Sequence, residues 1–330
     1  MKKFITVLLA AMMAVTLMTG CNKTPEPQPD PEPVKYDVNL GVLKGPTGIG
    51  ACYLLEKNST GESLNNYNVT VSAEATEMVA RIASGELDIA AVPTNVASSL
   101  YNKTNGGVRI IALNTAGVLY ILEKGNYIKS VSDLYGQTIY AVGQGSNPEY
   151  VLKYILESNG LKVGQDVFVE FMDSAFITSN AASGNVGVCM LPVPAATTVL
   201  VKNSDMRSAL NLSEEWDKLN NGSTLTMGCI VVRTEFYENN KEAVEQFLKE
   251  YEESINYVKG NVQDGAALCE KYEIVASAAI AAKAIPDANL IFVSGKDIRT
   301  TIEGYYKVLF EADPKSIGGK LPGDDFYPAE

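Results

Sequence analysis

Histidine is missing from all 330 residues. Its absence removes the side chain best suited to proton transfer near neutral pH and the commonest nitrogen ligand for metals. A Ser-His-Asp triad, a Cys-His dyad and a His-bearing zinc site are therefore excluded, and no metal or cofactor is expected. Arginine is scarce too, limited to Arg81, Arg109, Arg207, Arg233 and Arg299. Only 27 Lys and Arg face 39 Asp and Glu, a net charge of −12. Polyanions are held by basic side chains that release their counterions, so nucleic acid is not an expected partner. What is plentiful is apolar material: 46% hydrophobic against 20% charged residues excludes disorder for most of the chain and provides for two lobes.

The first residues read MKK, followed by an uncharged run from Phe4 to Gly20 that ends LMTGC at Cys21. This apolar run is shorter than the roughly 20 residues of a spanning helix, so residues 1–20 are expected to be a cleaved export signal. The segment resembles a bacterial lipoprotein signal, with Met18 where such signals usually carry leucine. That resemblance implies lipidation of Cys21 and an exported chain held on the outer face of the cytoplasmic membrane. The acidic body would meet the membrane only through that lipid. Residues 22–35, NKTPEPQPDPEPVK, favour an extended spacer. Cys52, Cys189, Cys229 and Cys269 are scattered through apolar stretches without a CxxC pair. They read as small core hydrophobes, although their spacing leaves disulfides open.

From Tyr36 onward, short β-rich runs alternate with helical stretches, which predicts an α/β fold with mostly parallel sheets. The pattern occurs twice. GELDIAAVPTNVASSLYNK at 85–103 aligns without a gap on GNVGVCMLPVPAATTVLVK at 184–202, matching Gly85 with Gly184 and Pro93 with Pro192. Upstream, 39–58 parallels 139–158, each a strand, a glycine-containing loop and a helix. Two βαβαβ lobes built alike are expected. Residues 108–125 would cross from one to the other and 223–236 would return, making a two-crossing hinge. Helices are predicted over 239–261, 264–283 and 295–311.

Parallel strands bind ligands beyond their carboxyl ends, where helix N-termini present unpaired N–H groups. Two such lobes facing each other offer one cleft lined by both sets of strand-to-helix junctions. The candidate ligand-contacting residues in those junctions are Lys44, Pro46, Thr47, Gly48, Glu74, Thr94, Asn95, Thr115 and Tyr120. Their counterparts in the second copy are Gln144, Ser146, Asn147, Asp173, Phe176, Pro192 and Val193. Any one of them reads equally well as a helix cap or a turn; their convergence gives them functional weight.

KGPTG at 44–48, SGELDIAAVPTN at 84–95, SDLYGQTIYAVGQGS at 132–146 and the helix opening NNKEAVEQFLKEY at 239 together resemble substrate-binding proteins of bacterial ABC importers. The similar branch includes nitrate, sulfonate and taurine binders and thiamine-pyrimidine-precursor binders. The resemblance implies a type II periplasmic-binding-protein fold, with one lobe at 36–115 plus 230–330 and the other at 118–228. It further implies a monomer that captures a small molecule by closing and delivers it to the transmembrane subunits of an ABC permease. A ligand-sensing lipoprotein serving a membrane receptor is the alternative. A pyrimidine-precursor-synthase-like enzyme on the same fold is a weaker one, because that chemistry consumes a histidine. With no arginine in a junction and with Glu74, Glu77 and Asp173 near the mouth, a nitrogen-containing aromatic or heterocyclic solute is the expected ligand.

Overall fold

β1 (Asp37–Leu43), α1 (Pro46–Ile49), α2 (Cys52–Thr60), β2 (Asn66–Ser72), α3 (Ala75–Ser84), β3 (Ile89–Pro93), α4 (Thr94–Lys103) and β4 (Val108–Ala116) open a computed structural model that describes residues 34–328. The expected export signal, Cys21 and the spacer up to residue 33 lie outside the described residues. Ile89, Ala90, Ala91 and Val92 are all buried, as a strand covered on both faces requires. β1 pairs in parallel with β2 and with β3, Leu40 standing opposite both Val69 and Ile89.

The chain leaves this first sheet after β4. Only Gly117 and Val118 separate it from β5 (Leu119–Lys124), the first strand of a second sheet. A Cβ at Gly117 would stand 2.1 Å from Ser213 Oγ, so only glycine passes this crossing undisturbed. There follow β6 (Thr138–Ala141), α5 (Asn147–Ser158), β7 (Phe168–Phe171), α6 (Ser174–Ala182), β8 (Val188–Pro192), α7 (Ala195–Lys202), β9 (Met206–Asn211) and α8 (Leu212–Lys218). The chain then returns to the first sheet through β10 (Thr226–Arg233).

The first sheet has the order β11-β4-β10-β3-β1-β2 and the second β7-β6-β8-β5-β9. Both share one plan: three parallel strands, then an antiparallel strand from across the hinge, then a fourth strand. The largely parallel sheets expected from the sequence are thus mixed, because each sheet receives the crossing strand of the other half. β10 runs antiparallel to β3 and β4, as β5 does to β8 and β9. The aligned prolines fall in equivalent places, Pro93 opposite Gly228 and Pro192 opposite Leu119.

The rest of the chain is α9 (Thr234–Asn239), α10 (Lys241–Gly260), α11 (Val262–Lys271), α12 (Ala278–Ala284), β11 (Leu290–Ser294) and α13 (Asp297–Ala312). Val244, Phe247, Tyr251 and Ile255 form the buried stripe of α10, as their spacing predicts. The single helix predicted over 264–283 is two: α11 ends at Lys271 with Tyr272 as its C-cap, and Glu273 takes a left-handed φ of 56°, which no α-helix accommodates. α12 then starts afresh, with the Ser277 side chain accepting from Ile280 N. It packs against α7 of the second sheet. Among the described residues no helix is long and apolar enough to cross a membrane.

Candidate functional site

The two sheet-bearing halves meet at Asn147, the first residue of α5, which is 1% exposed. Its amide nitrogen donates to Thr94 Oγ1 and to the Met227 carbonyl, each at 3.0 Å. Its amide oxygen accepts from the Tyr305 hydroxyl at 3.1 Å. Thr94 in turn donates to the Thr226 carbonyl at 2.7 Å, and its own carbonyl accepts from Tyr306 at 2.8 Å. Burial pushes the Tyr305 and Tyr306 phenols above their usual range, so both hydroxyls remain proton donors. This buried polar knot joins the N-termini of α4 and α5 across the seam.

Beside the knot lies a cavity of about 320 Å³, at the lower end of the size range for small-molecule sites. The first turn of α3 (Ala75, Thr76), one face of α4 (Asn95, Val96, Ser99), Gly145 of the second half, and Lys315 and Ser316 line it. Neither helix has a side-chain cap at its N-terminus: Glu74 at α3 and Pro93 at α4 make no such bond. Asn95 is 2% exposed and donates to the Ser316 carbonyl at 3.3 Å, while its Oδ1 has no partner among the described residues. A buried acceptor left unsatisfied is unfavourable, and a ligand donor would relieve it. Lys103 and Lys315 also border the cavity, and neither is in an ion pair among the described residues. Two uncapped helix N-termini, two ammonium groups and one unpaired acceptor suit a small solute that carries negative charge together with a hydrogen-bond donor.

The other candidate residues are distributed more widely. Thr94 and Asn147 form the knot, and Gln144 and Ser146 flank Gly145, the Ser146 hydroxyl donating to the Gly143 carbonyl at 2.8 Å. Lys44 pairs with Glu273 at 3.3 Å and borders a separate recess with Ile274. Pro46 is the first residue of α1; Thr47 is buried, its carbonyl accepting from Asn114 at 3.1 Å. At Gly48 a Cβ would meet the Leu43 carbonyl at 2.0 Å, a packing reason for glycine. The buried Thr115 hydroxyl donates to Asn114 Oδ1 at 3.0 Å. Tyr120 reaches the Asp287 carbonyl at 3.5 Å, and burial, then Asp287 and Glu214, push its phenol up to about 12. Pro192 ends β8, and the buried Val193 donates its N–H to the Val118 carbonyl at 3.1 Å. Phe176 is exposed.

Two of the three acids near the mouth have structural work, whereas the Glu74 side chain, at the start of α3, makes no hydrogen bond or ion pair among the described residues. Asp173 caps α6, accepting from Ala175 N at 2.8 Å and Phe176 N at 3.2 Å. Glu77 accepts from Ser72 at 2.6 Å and pairs with Arg81 at 2.9 Å; these contacts, the hydroxyl first, hold its carboxyl below the usual range. Sequence reading did not single out Ser99, Lys103, Lys315 or Ser316. The α4 residues repeat at helical spacing from Asn95 and could have been found that way, whereas nothing local marks 315–316.

A larger recess, about 600 Å³, lies among Gly85, Gly106, Arg233 and Glu238. It borders the C-terminal ends of α3 and α4, whose carbonyl dipoles together with Glu235 and Glu238 repel anions, and it belongs to one half only.

Solved structures identify the class of fold. One described as an ABC transporter from Parabacteroides distasonis has a TM-score of 0.75 at 22% identity, over 89% of this chain and 99% of that one. The periplasmic aliphatic sulphonate binding protein of Escherichia coli follows with a TM-score of 0.70 at 16% identity, over 89% and 96%. The Candida albicans CA3427 gene product, described as exhibiting the generic periplasmic binding protein structural fold, has a TM-score of 0.57 at 12% identity, over 87% and 99%. The fold is therefore the periplasmic-binding-protein fold expected from the sequence. No curated protein sequence matches. A sequence model described as NMT1/THI5 like matches residues 68–264, more than half of the chain, and the protein belongs to that family.

Proposed function

We propose that the protein is an extracytoplasmic solute-binding lipoprotein that captures a small organic molecule between two lobes and passes it to an ABC import permease. The observation that carries this reading is the cavity shared by α3, α4 and Gly145 and bordered by Asn95, whose buried Oδ1 has no partner among the described residues. Family membership and the similarity to an ABC transporter and a sulphonate binding protein support it. The lobes proposed are those expected from the sequence, 36–115 plus 230–330 and 118–228. Capture requires no bond to be made or broken. A solute that touches both lobes stabilises their closed arrangement by the difference between its affinities for closed and open forms. Cys21 would carry the lipid, which leaves the acidic body free above the membrane.

The lone tryptophan provides the test. Trp216 is fully buried, packed against Tyr154 of α5 at 4.9 Å between ring centroids and against Tyr305 of α13 at 5.5 Å. It therefore touches an element of each half beside the knot, and a change in closure alters its emission. Titration with a panel of small carboxylates, sulfonates and amines is expected to give a saturable change with one chemical class, with charged anions favoured over amines. Of the acids behind the nitrogen-containing aromatic or heterocyclic solute expected from the sequence, Glu77 and Asp173 are engaged within the fold and Glu74 is not. Saturable binding that Asn95→Leu leaves intact would overturn the assignment of the site.

A further inference from the structure

Cys52 and Cys269 are 217 residues apart in sequence, yet their Sγ atoms lie 3.3 Å apart and both side chains are fully buried. Cys52 is the first residue of α2 and Cys269 lies in α11, so the two sulfurs face each other across a helix–helix contact. From the geometry we infer that these two cysteines close to an intramolecular disulfide when the chain folds in the presence of a disulfide oxidant, while Cys189 and Cys229 remain thiols. A disulfide needs about 2.05 Å between sulfurs, so the gap closes by about 1.2 Å, within reach of small rotations about the side-chain bonds. Cys189 lies in β8 of the second sheet and Cys229 in β10 of the first, where its Sγ contacts the Val92 carbonyl at 3.6 Å. Among the described residues neither has a sulfur neighbour.

The cross-link would sit beneath a loop contact that already exists. Gly45 N donates to the Ile274 carbonyl at 3.0 Å, and Lys44 pairs with Glu273 just past the end of α11. Joining residues 52 and 269 would staple the loop after β1 to the segment after α11 and restrict the unfolded chain over a long loop.

The oxidation balances as thiol–disulfide exchange. A thiolate of the pair attacks glutathione disulfide and releases one glutathione; the second thiolate attacks the mixed disulfide and releases the other. Two electrons pass to the oxidant, and both cysteine protons end on the two glutathiones. Because burial holds the Cys52 thiol well above its ordinary range and hides it from solvent, the attack on glutathione disulfide takes place before α11 docks on α2, and docking then brings the second sulfur to the mixed disulfide.

The test is to unfold the reduced full chain, refold it in a glutathione redox buffer, alkylate it in denaturant with N-ethylmaleimide and map the peptides by mass. A linked pair containing Cys52 and Cys269, with maleimide on Cys189 and Cys229, is expected. The oxidised protein should melt on the order of 5 °C above the reduced one, a gap that vanishes in Cys269→Ser. Maleimide on Cys52 and Cys269 at every redox ratio, or a linked peptide containing Cys189 or Cys229, would overturn the inference. The outcome is independent of whether the protein binds a solute.

Discussion

Asn147 and Thr94, 53 residues apart, share a buried hydrogen bond of 3.0 Å that joins the N-termini of two helices from different sheets. The same amide reaches Met227 and Tyr305. Asn147→Ala strands the Tyr305 hydroxyl and the Met227 carbonyl without their partner, so urea denaturation is expected to show a loss of roughly 2–4 kcal/mol. Small-angle scattering should report a larger radius of gyration if the knot also holds the halves together. A neutral stability effect would contradict the role given to this residue.

Asn95 and Asp173 separate binding from folding. Asp173→Ala removes a helix cap and is expected to lower stability by about 1 kcal/mol while leaving solute affinity unchanged. Asn95→Leu removes an acceptor that nothing in the described protein satisfies together with the donor to the Ser316 carbonyl, so a stability loss of about 1 kcal/mol is expected, while affinity falls at least about tenfold, the effect of one hydrogen bond to a buried group. Thermal melts and titrations of both variants check the contrast.

The crossing at Gly117 tolerates no side chain. Gly117→Ala drives a methyl to within 2.1 Å of Ser213 Oγ and 2.8 Å of a Leu225 methyl, an overpacking that costs about 1–3 kcal/mol. Adding Ser213→Ala removes the nearest atom and should restore part of the loss. Equal stability of the single and double variants would refute the steric account.

Glu56 provides a pH signature. Hydrogen bonds from Lys271 and Tyr272 hold its carboxyl below the ordinary value of 4.5. A group with a depressed folded value stabilises the protein above its unfolded value, and that contribution disappears as pH falls through the folded value. Glu56→Gln is therefore expected to be less stable than the parent at pH 7, with the difference closing as pH drops below the ordinary carboxylate range. Urea midpoints measured across that range provide the check; a difference that widens in acid would contradict it.

Repetition made much of this architecture readable in advance. Gly85 and Gly184 both take left-handed conformations after α3 and α6, and Pro93 and Pro192 both close the third parallel strand of their sheet. Local pattern sufficed there because the same turn and the same doubly covered strand were specified twice. The break between α11 and α12 was not readable, since an apolar stretch from 274 to 281 carries helix and loop alike until Glu273 adopts its positive φ. The site was legible only in part. Asn95, Thr94 and Asn147 lie at helix starts, where junction reasoning looks, but the pairing of Asn147 with Thr94 and the approach of Lys315 and Ser316 to Asn95 depend on tertiary contacts between distant segments. Asp173 and Glu77 show the opposite failure: position suggested ligand chemistry, and the fold uses them as a cap and an ion-pair partner.

Native mass spectrometry after exposure of the purified protein to fractions of a metabolite extract tests capture most directly. One small adduct per chain is expected from a single fraction, retained by Asp173→Ala and absent from Asn95→Leu. Adducts that persist unchanged in Asn95→Leu, or no adduct from any fraction, would contradict the binding of a solute between α3, α4 and Gly145.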